Sequence, residues 1–215
     1  VMNGTELREV RSYVRYENGI VEMDRTGFRQ GTDGVVSASL RYDMETQALS
    51  GAMDMENLDV PALLALVNQK EDRIEGRITS HATLGGTREN PAGTLTGTIT
   101  EGKVAGYEVT DVALDVALSA HVLTIRNLMG RQEGGSFSAS GTIDFNGAIH
   151  VDAEAKDIAL GIFTGLAGVD EPVMGAASMT AQVRGSAGRP EADLKLTVRS
   201  GGMRGASFDE MVGEA

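Results

Sequence analysis

Cysteine and tryptophan are absent from the 215-residue chain, and the aromatics together make up 4% of it. Without cysteine there are no disulfides, no thiolate chemistry and no Cys-ligated metal, and the redox compartment stays open. Cations are also scarce: 19 Lys+Arg stand against 31 Asp+Glu, a formal net charge of −12. With no basic cluster, the counterion release that drives nucleic-acid binding is missing, and an anionic membrane surface is equally disfavoured. There is no apolar run of roughly 18 residues, and Val1 to Glu9 has neither a charged n-region nor an apolar h-region. The sequence therefore predicts neither a transmembrane span nor a signal peptide. It opens on Val and stops in mid-pattern, and reads as a piece of something longer whose targeting signals lie outside it.

What the chain does have is glycine, 28 residues or about 13% against a usual ~7%. Leu, Ile, Val and Phe sum to 50 of 215 residues, about 23%, above the ~20% below which disorder becomes the default. Strict alternation dominates. Val36, Ala38, Leu40 and Tyr42 oppose Ser37, Ser39 and Arg41, the period-2 pattern of a strand with one dry face. The same pattern runs through Ile74 to Leu84, Leu95 to Ile99, Val112 to Leu118, Phe137 to Phe145, Ile149 to Ala155, Met179 to Val183 and Leu194 to Val198, with Thr and Ser marking the wet side. Asn18-Gly19 and Asn146-Gly147 lie between alternating segments, and as residues that tolerate positive φ they predict hairpins. The sheet is therefore expected to be mostly antiparallel.

Helical periodicity is convincing once, from Asp59 to about Lys70, where Asp59 can cap and Leu63, Leu64, Leu66 and Val67 form a stripe. A weaker helix is predicted from Asp157 to Leu166, diluted by Gly161 and Gly165. At an offset of 99, Gly76 falls on Gly175, Ala82 on Ala181, Gly86 on Gly185 and Pro91 on Pro190. Leu95 falls on Leu194, Gly102 on Gly201 and Gly106 on Gly205 in the same register. Asp59 and Asp157 differ by 98, a slip of one. The expected organisation is a repeat: residues 1–91, a first unit truncated at its start; 92–190, a second; 191–215, the start of a third; all in one continuous sheet.

The fold expected is all-β, a curved and mostly antiparallel repeating groove with one short helix per repeat. One helix per unit cannot cover so many amphipathic strands, so the sheet must curl or stack. A filled sandwich would use bulky inner residues, yet the inner positions include Gly76, Gly97, Gly141, Ala38, Ala82, Ala139, Ala153 and Ala181. That leaves an open apolar trough, suited to a long featureless ligand such as an acyl chain. Its candidate lining is Val36, Leu40, Met53, Ile74, Ile78, Leu95, Ile99, Leu114, Val116, Phe137, Ile143, Val151, Val183 and Leu194. Met53 and Met55, with Met174, Met179, Met203 and Met211 on or near other strands, could adapt to such a ligand.

The stretch Gly134 to Asp144, then "GAASMTAQVRGSAGRP" from Gly175 and "GGMRGASFDEM" from Gly201, resembles the repeat pattern of the TamB family, in the AsmA-like superfamily of Gram-negative envelope proteins. "EGRITSHATLGGTRENP" from Glu75 and "EGKVAGYEVTDV" from Glu101 resemble the preceding copy. The resemblance implies a periplasmic taco-like β-groove, anchored in the inner membrane by a segment outside this chain and working with an outer-membrane barrel partner of the TamA/BamA type. It implies transport of phospholipid between membranes, or help in outer-membrane protein assembly, and no catalytic residues.

Other constellations read as ordinary structure. His81, His121 and His150 have neither an H-E-x-x-H helix nor Cys partners, so no metal site is expected. Asp54, Glu56, Asn57 and Asp59 lack the Gly and distal Glu of a calcium loop and read as a strand end entering a helix cap. "GGTREN" at Gly85 to Asn90 precedes no Gly-Lys-Ser/Thr and reads as a turn closed by Pro91. Ser136, Ser138 and Ser140 are wet-face residues with no nucleophile partner in sequence. The leading expectation is a non-enzymatic lipid conduit without cofactor. A chaperone-like scaffold that pairs its strand edges with client strands is the alternative, and a filled adhesin-type stalk a third.

Overall fold

A computed structural model of the chain describes residues 7–61, 73–166, 173–186, 189–203 and 206–214. Its strands are β1 (Leu7–Glu17), β2 (Ile20–Gln30), β3 (Gly34–Asp43), β4 (Leu49–Asp59), β5 (Ile74–Gly86), β6 (Pro91–Val104) and β7 (Tyr107–Ser119). They continue as β8 (Val122–Gln132), β9 (Gly135–Asp144), β10 (Ala148–Ala159), β11 (Val173–Ser186), β12 (Arg189–Met203) and β13 (Ala206–Glu214). A short helix, α1 (Leu160–Leu166), connects β10 to β11. All thirteen strands lie in chain order in one antiparallel sheet, curved and unclosed, with β1 and β13 at its two ends among the described residues.

Local chemistry sets the turns. Asn18 (φ 49°) and Gly19 (φ 77°) make the expected two-residue turn with both residues left-handed. The hairpin at Asn146-Gly147 forms by a different device. Neither residue has positive φ; the Asp144 carboxylate accepts the Asn146 N–H at 2.9 Å, and the Gly147 N–H donates to the Asp144 carbonyl at 3.1 Å. This Asp-centred turn leaves Phe145 outside the strand and 55% exposed, not inward as its alternation predicts. Thr87 to Asn90 turn back on themselves and β6 begins at Pro91, as the "GGTREN" reading expects.

The helices need two corrections. The expected Asp59–Lys70 helix falls mostly outside the described residues; Val60 and Pro61 have helical backbone, but Asp59 is the last residue of β4. The second helix begins at Leu160, three residues after Asp157, which stays in β10 with φ 50° as a bulge. The glycines that weaken it have a packing reason. A Cβ at Gly161 would strike the Tyr107 hydroxyl, and one at Gly165 would meet the Ala105 Cβ at 2.6 Å, so the helix lies close to the β6–β7 turn.

The repeat reaches down to the bulges. The register breaks at Arg8/Arg11 in β1, Met23/Thr26 in β2 and Met55/Leu58 in β4 recur at Thr110/Ala113 in β7, Ile125/Leu128 in β8 and Ala155/Ile158 in β10. Left-handed Asn57 (φ 53°) recurs as Asp157, and Gly76 (φ 145°) as Gly175 (φ 126°). Phased by these breaks, one unit is β1–β6 and the next β7–β12, with β13 opening a third. Pro91 and Pro190 stand at the starts of β6 and β12.

Candidate functional site

Because paired residues of an antiparallel ladder share a face, the register identifies one side of the sheet as a continuous apolar wall. Met53 pairs Ala82, Ala82 pairs Leu95, Leu95 pairs Val116 and Val116 pairs Ile125. The same row runs on through Gly141, Val151 and Val183 to Ala192. All fourteen candidate lining residues fall on this side, which the strand pairings bring together from nine strands. Val36 and Ile78 are buried and the other twelve half-buried. Met53 and Met55 also lie on the wall, whereas Met174 points to the opposite face, 69% exposed against Gly202. For Met203 only the backbone is described.

The two faces differ in shelter as well as chemistry. On the polar side even small residues such as Thr96, Thr98, Ser136, Ser138 and Ser140 are exposed. On the apolar side equally small Gly97, Ala139, Gly141, Ala153 and Ala181 are half-buried, although no second sheet lies over them among the described residues. The two buried apolar clusters lie toward the ends of β4 and β10. Val36, Met55, Leu58 and Ile78 form one cluster against Phe28, Leu95 and Ile99; Ala155, Ile158 and Ile162 form another against Tyr107, Phe137 and Met179. At the opposite strand ends Met44, Leu84 and Phe145 are 55, 46 and 55% exposed.

Two buried glutamines, which periodicity could not flag, hold the ends of β4 and β10. Gln30, at the end of β2, accepts the Asp59 N–H on its Oε1 at 2.8 Å; Gln132, at the end of β8, accepts the Ala159 N–H at 2.8 Å. The bulge one step earlier is held from the other side. The Asn57 N–H donates to the Thr79 hydroxyl (3.2 Å) and the Asp157 N–H to the Ser178 hydroxyl (3.1 Å). Each strand thus leaves the ladder with its freed amides satisfied by side chains, as a buried backbone requires. The only sequence signal is a Gln at the same place in both units. Ser80 is a further polar member of the wall, its buried hydroxyl without a partner.

The groups considered for chemistry lie on the polar side. His81 Nδ1 stands 2.6 Å from Asp54 Oδ1, and His150 Nε2 3.3 Å from Asp152 Oδ2, all four side chains well exposed. Ser138 and Ser140 pair across from Glu154 and Asp152, a neighbourhood invisible in sequence spacing. Depressions on this face, of about 530 Å³ around Thr79, His81, Thr96 and Asp115 and about 580 Å³ around Arg126, Ser140, Asp152 and Gln182, are gaps between long charged side chains over a Ser/Thr floor. No helix among the described residues is long and apolar enough to cross a membrane. Compared with known protein families, curated proteins and solved structures, the chain matches none.

Proposed function

We propose that this chain is a non-enzymatic, TamB-like lipid conduit: a half-pipe whose apolar side holds phospholipid acyl chains, headgroups in water, as they pass through the periplasm between inner and outer membranes. The observation that carries the reading is the unbroken apolar row from β3 to β12, half-buried up to its last member, the exposed Ala192, and with no second layer over it among the described residues. Ten strands at about 4.8 Å spacing give it a span of ~43 Å, against ~30 Å for a bilayer core that holds two chains end to end. Some ten methylenes laid on such a wall gain on the order of 8 kcal/mol before ordering costs, at about 0.8 kcal/mol each. The inner Gly and Ala positions leave room that side chains would fill in a closed core.

Native mass spectrometry of the purified chain is expected to find co-purified phospholipid. A photo-crosslinkable phospholipid is expected to label the wild type, and Val116→Asp, which puts a charge in mid-row, to lose most of that labelling with its circular dichroism unchanged. Thr96→Asp, on the opposite face of neighbouring β6, is the control that leaves labelling intact. Equal labelling of the two variants, or none of the wild type, overturns the reading.

A further inference from the structure

One polar side chain stands in the middle of the apolar wall. Ser80, the central residue of β5, lies on the wall side between Ile78 and Ala82. Its row runs from Val36 through Met55, Ser80, Gly97 and Leu114 to Leu194, with an apolar side chain or glycine at every other place. Ser80 is 7% exposed and its hydroxyl has no hydrogen-bond partner. A desolvated hydroxyl without a partner opposes folding, and alanine in its place would avoid that cost. The second unit does avoid it. Where the first has Met55, Ser80 and Gly97, the second has Ala155, Met179 and Leu196, paired in the same order. The buried hydroxyl therefore belongs to the first unit alone, and the backbone geometry that the two units share does not depend on it.

On the side of β6 little closes the hydroxyl off. Gly97 is half-buried and has no side chain to stand between Ser80 and the groove. A Cβ there would meet the Ser80 Cβ at 3.0 Å and the Ile78 Cδ1 at 3.2 Å, so the space over the glycine is bounded by the serine and by one terminal methyl. On the side of β4 the neighbour is Met55, unbranched and adaptable. Turning the Ile78 methyl aside takes a single side-chain rotation between staggered wells. We propose that Ser80 is an anchor point in the wall for an aliphatic chain that carries one hydroxyl or keto oxygen along its length. The inference rests on the lipid-conduit reading and adds the class of chain preferred. A serine hydroxyl both donates and accepts, so it pairs with either oxygen, and it does so in a place where water does not compete. The methylenes beside that oxygen then lie along the row over Gly97 and Leu114.

The test uses the full chain and three probes: stearic acid, and the hydroxystearic and ketostearic acids with the oxygen at mid-chain. Binding is read by displacement of a fluorescent fatty acid. Wild type and Ser80→Ala are expected to bind stearic acid equally. Wild type is expected to bind the two oxygenated chains about tenfold more tightly than Ser80→Ala does, the gain of one hydrogen bond to a buried hydroxyl. In the ligand-free chain Ser80→Ala is expected to raise the urea midpoint, because it removes the unpaired group, and saturating hydroxystearic acid is expected to shift the wild type further than the variant. Binding of stearic acid with no Ser80-dependent preference for the oxygenated chains overturns this inference and leaves the conduit reading standing. Failure of all three probes to bind overturns both. A ligand-free Ser80→Ala chain less stable than the wild type shows the hydroxyl to be partnered within the fold already, and overturns this inference alone.

Discussion

The two six-strand units place the same bulk in different hands. In the first, Phe28 on β2 faces Val36 on β3; at the equivalent pair in the second, Gly130 on β8 faces Phe137 on β9. Continuing along each row, Met55 and Ser80 of the first unit stand where the second has Ala155 and Met179. What recurs is the backbone, with its bulges, its Gln-to-amide bonds and its left-handed residues, while large and small side chains exchange places across strand pairs. A close-packed row constrains summed volume more than the identity of any member.

The largest test of that equivalence removes the buried residue near the end of β4 and of β10. Leu58→Ala and Ile158→Ala, at sites 1 and 2% exposed, are each expected to cost about 2–5 kcal/mol in urea unfolding. Similar values would support equivalence, and a difference exceeding that range would break it. A sharper test copies one unit into the other. Gly130→Phe alone drives a side chain into the Phe137 ring, which already fills the space a Cβ at 130 would take, and is expected to cost about 1–3 kcal/mol. Adding Phe137→Val reproduces the Phe28/Val36 pair and is expected to recover most of the loss; a double variant no more stable than the single one rejects volume exchange.

The glutamine bonds come next. Gln30→Leu and Gln132→Leu strand the Asp59 and Ala159 N–H groups but also remove an unpartnered buried Nε2. A net loss of about 1 kcal/mol is expected from each, read by denaturation together with faster exchange of those two amides; unchanged exchange would deny the glutamines their role. The smallest effect belongs to the loop where the units differ most, Met44 to Ala48 against Phe145 to Gly147. The Thr46 N–H above all, and with it that of Glu45, holds the exposed Asp43 carboxylate below the ordinary carboxylate range. Its contribution is present above the unfolded carboxylate value and lost as pH falls through the lowered folded one. NMR titration of Asp43 is expected to show that depression, and Asp43→Asn to loosen only the first unit's loop.

Much of the fold was legible because alternation is a direct consequence of the two-residue strand period. The side on which Leu95, Val116 or Val151 lies follows from the neighbours in sequence, and so does the wet side marked by Thr and Ser. The repeat was legible only in part. Counted at a fixed offset, identities gather between Gly76 and Gly106, where the intervening connections have equal length. From β2 to β5 the connections lose a residue at each of three places between the first unit and the second, so Gln30 and Gln132 stand 102 apart, Val36 and Phe137 101, Leu58 and Ile158 100. Asp157 reads as a helix cap because Asp is common there; the structure uses it for tolerance of positive φ, another property of the same side chain.

By itself the sequence determined an antiparallel all-β chain with one apolar and one Ser/Thr-rich charged side, because strand pattern, turn residues and charge act over a few positions. Tertiary structure alone decided where the ladder slips, which strand ends are buried, that Gln30 and Gln132 bind amides 29 and 27 residues away, and that the sheet curves without closing. Those outcomes depend on cross-strand volume and on backbone groups that must find partners once water is excluded, and neither has a fixed spacing along the chain.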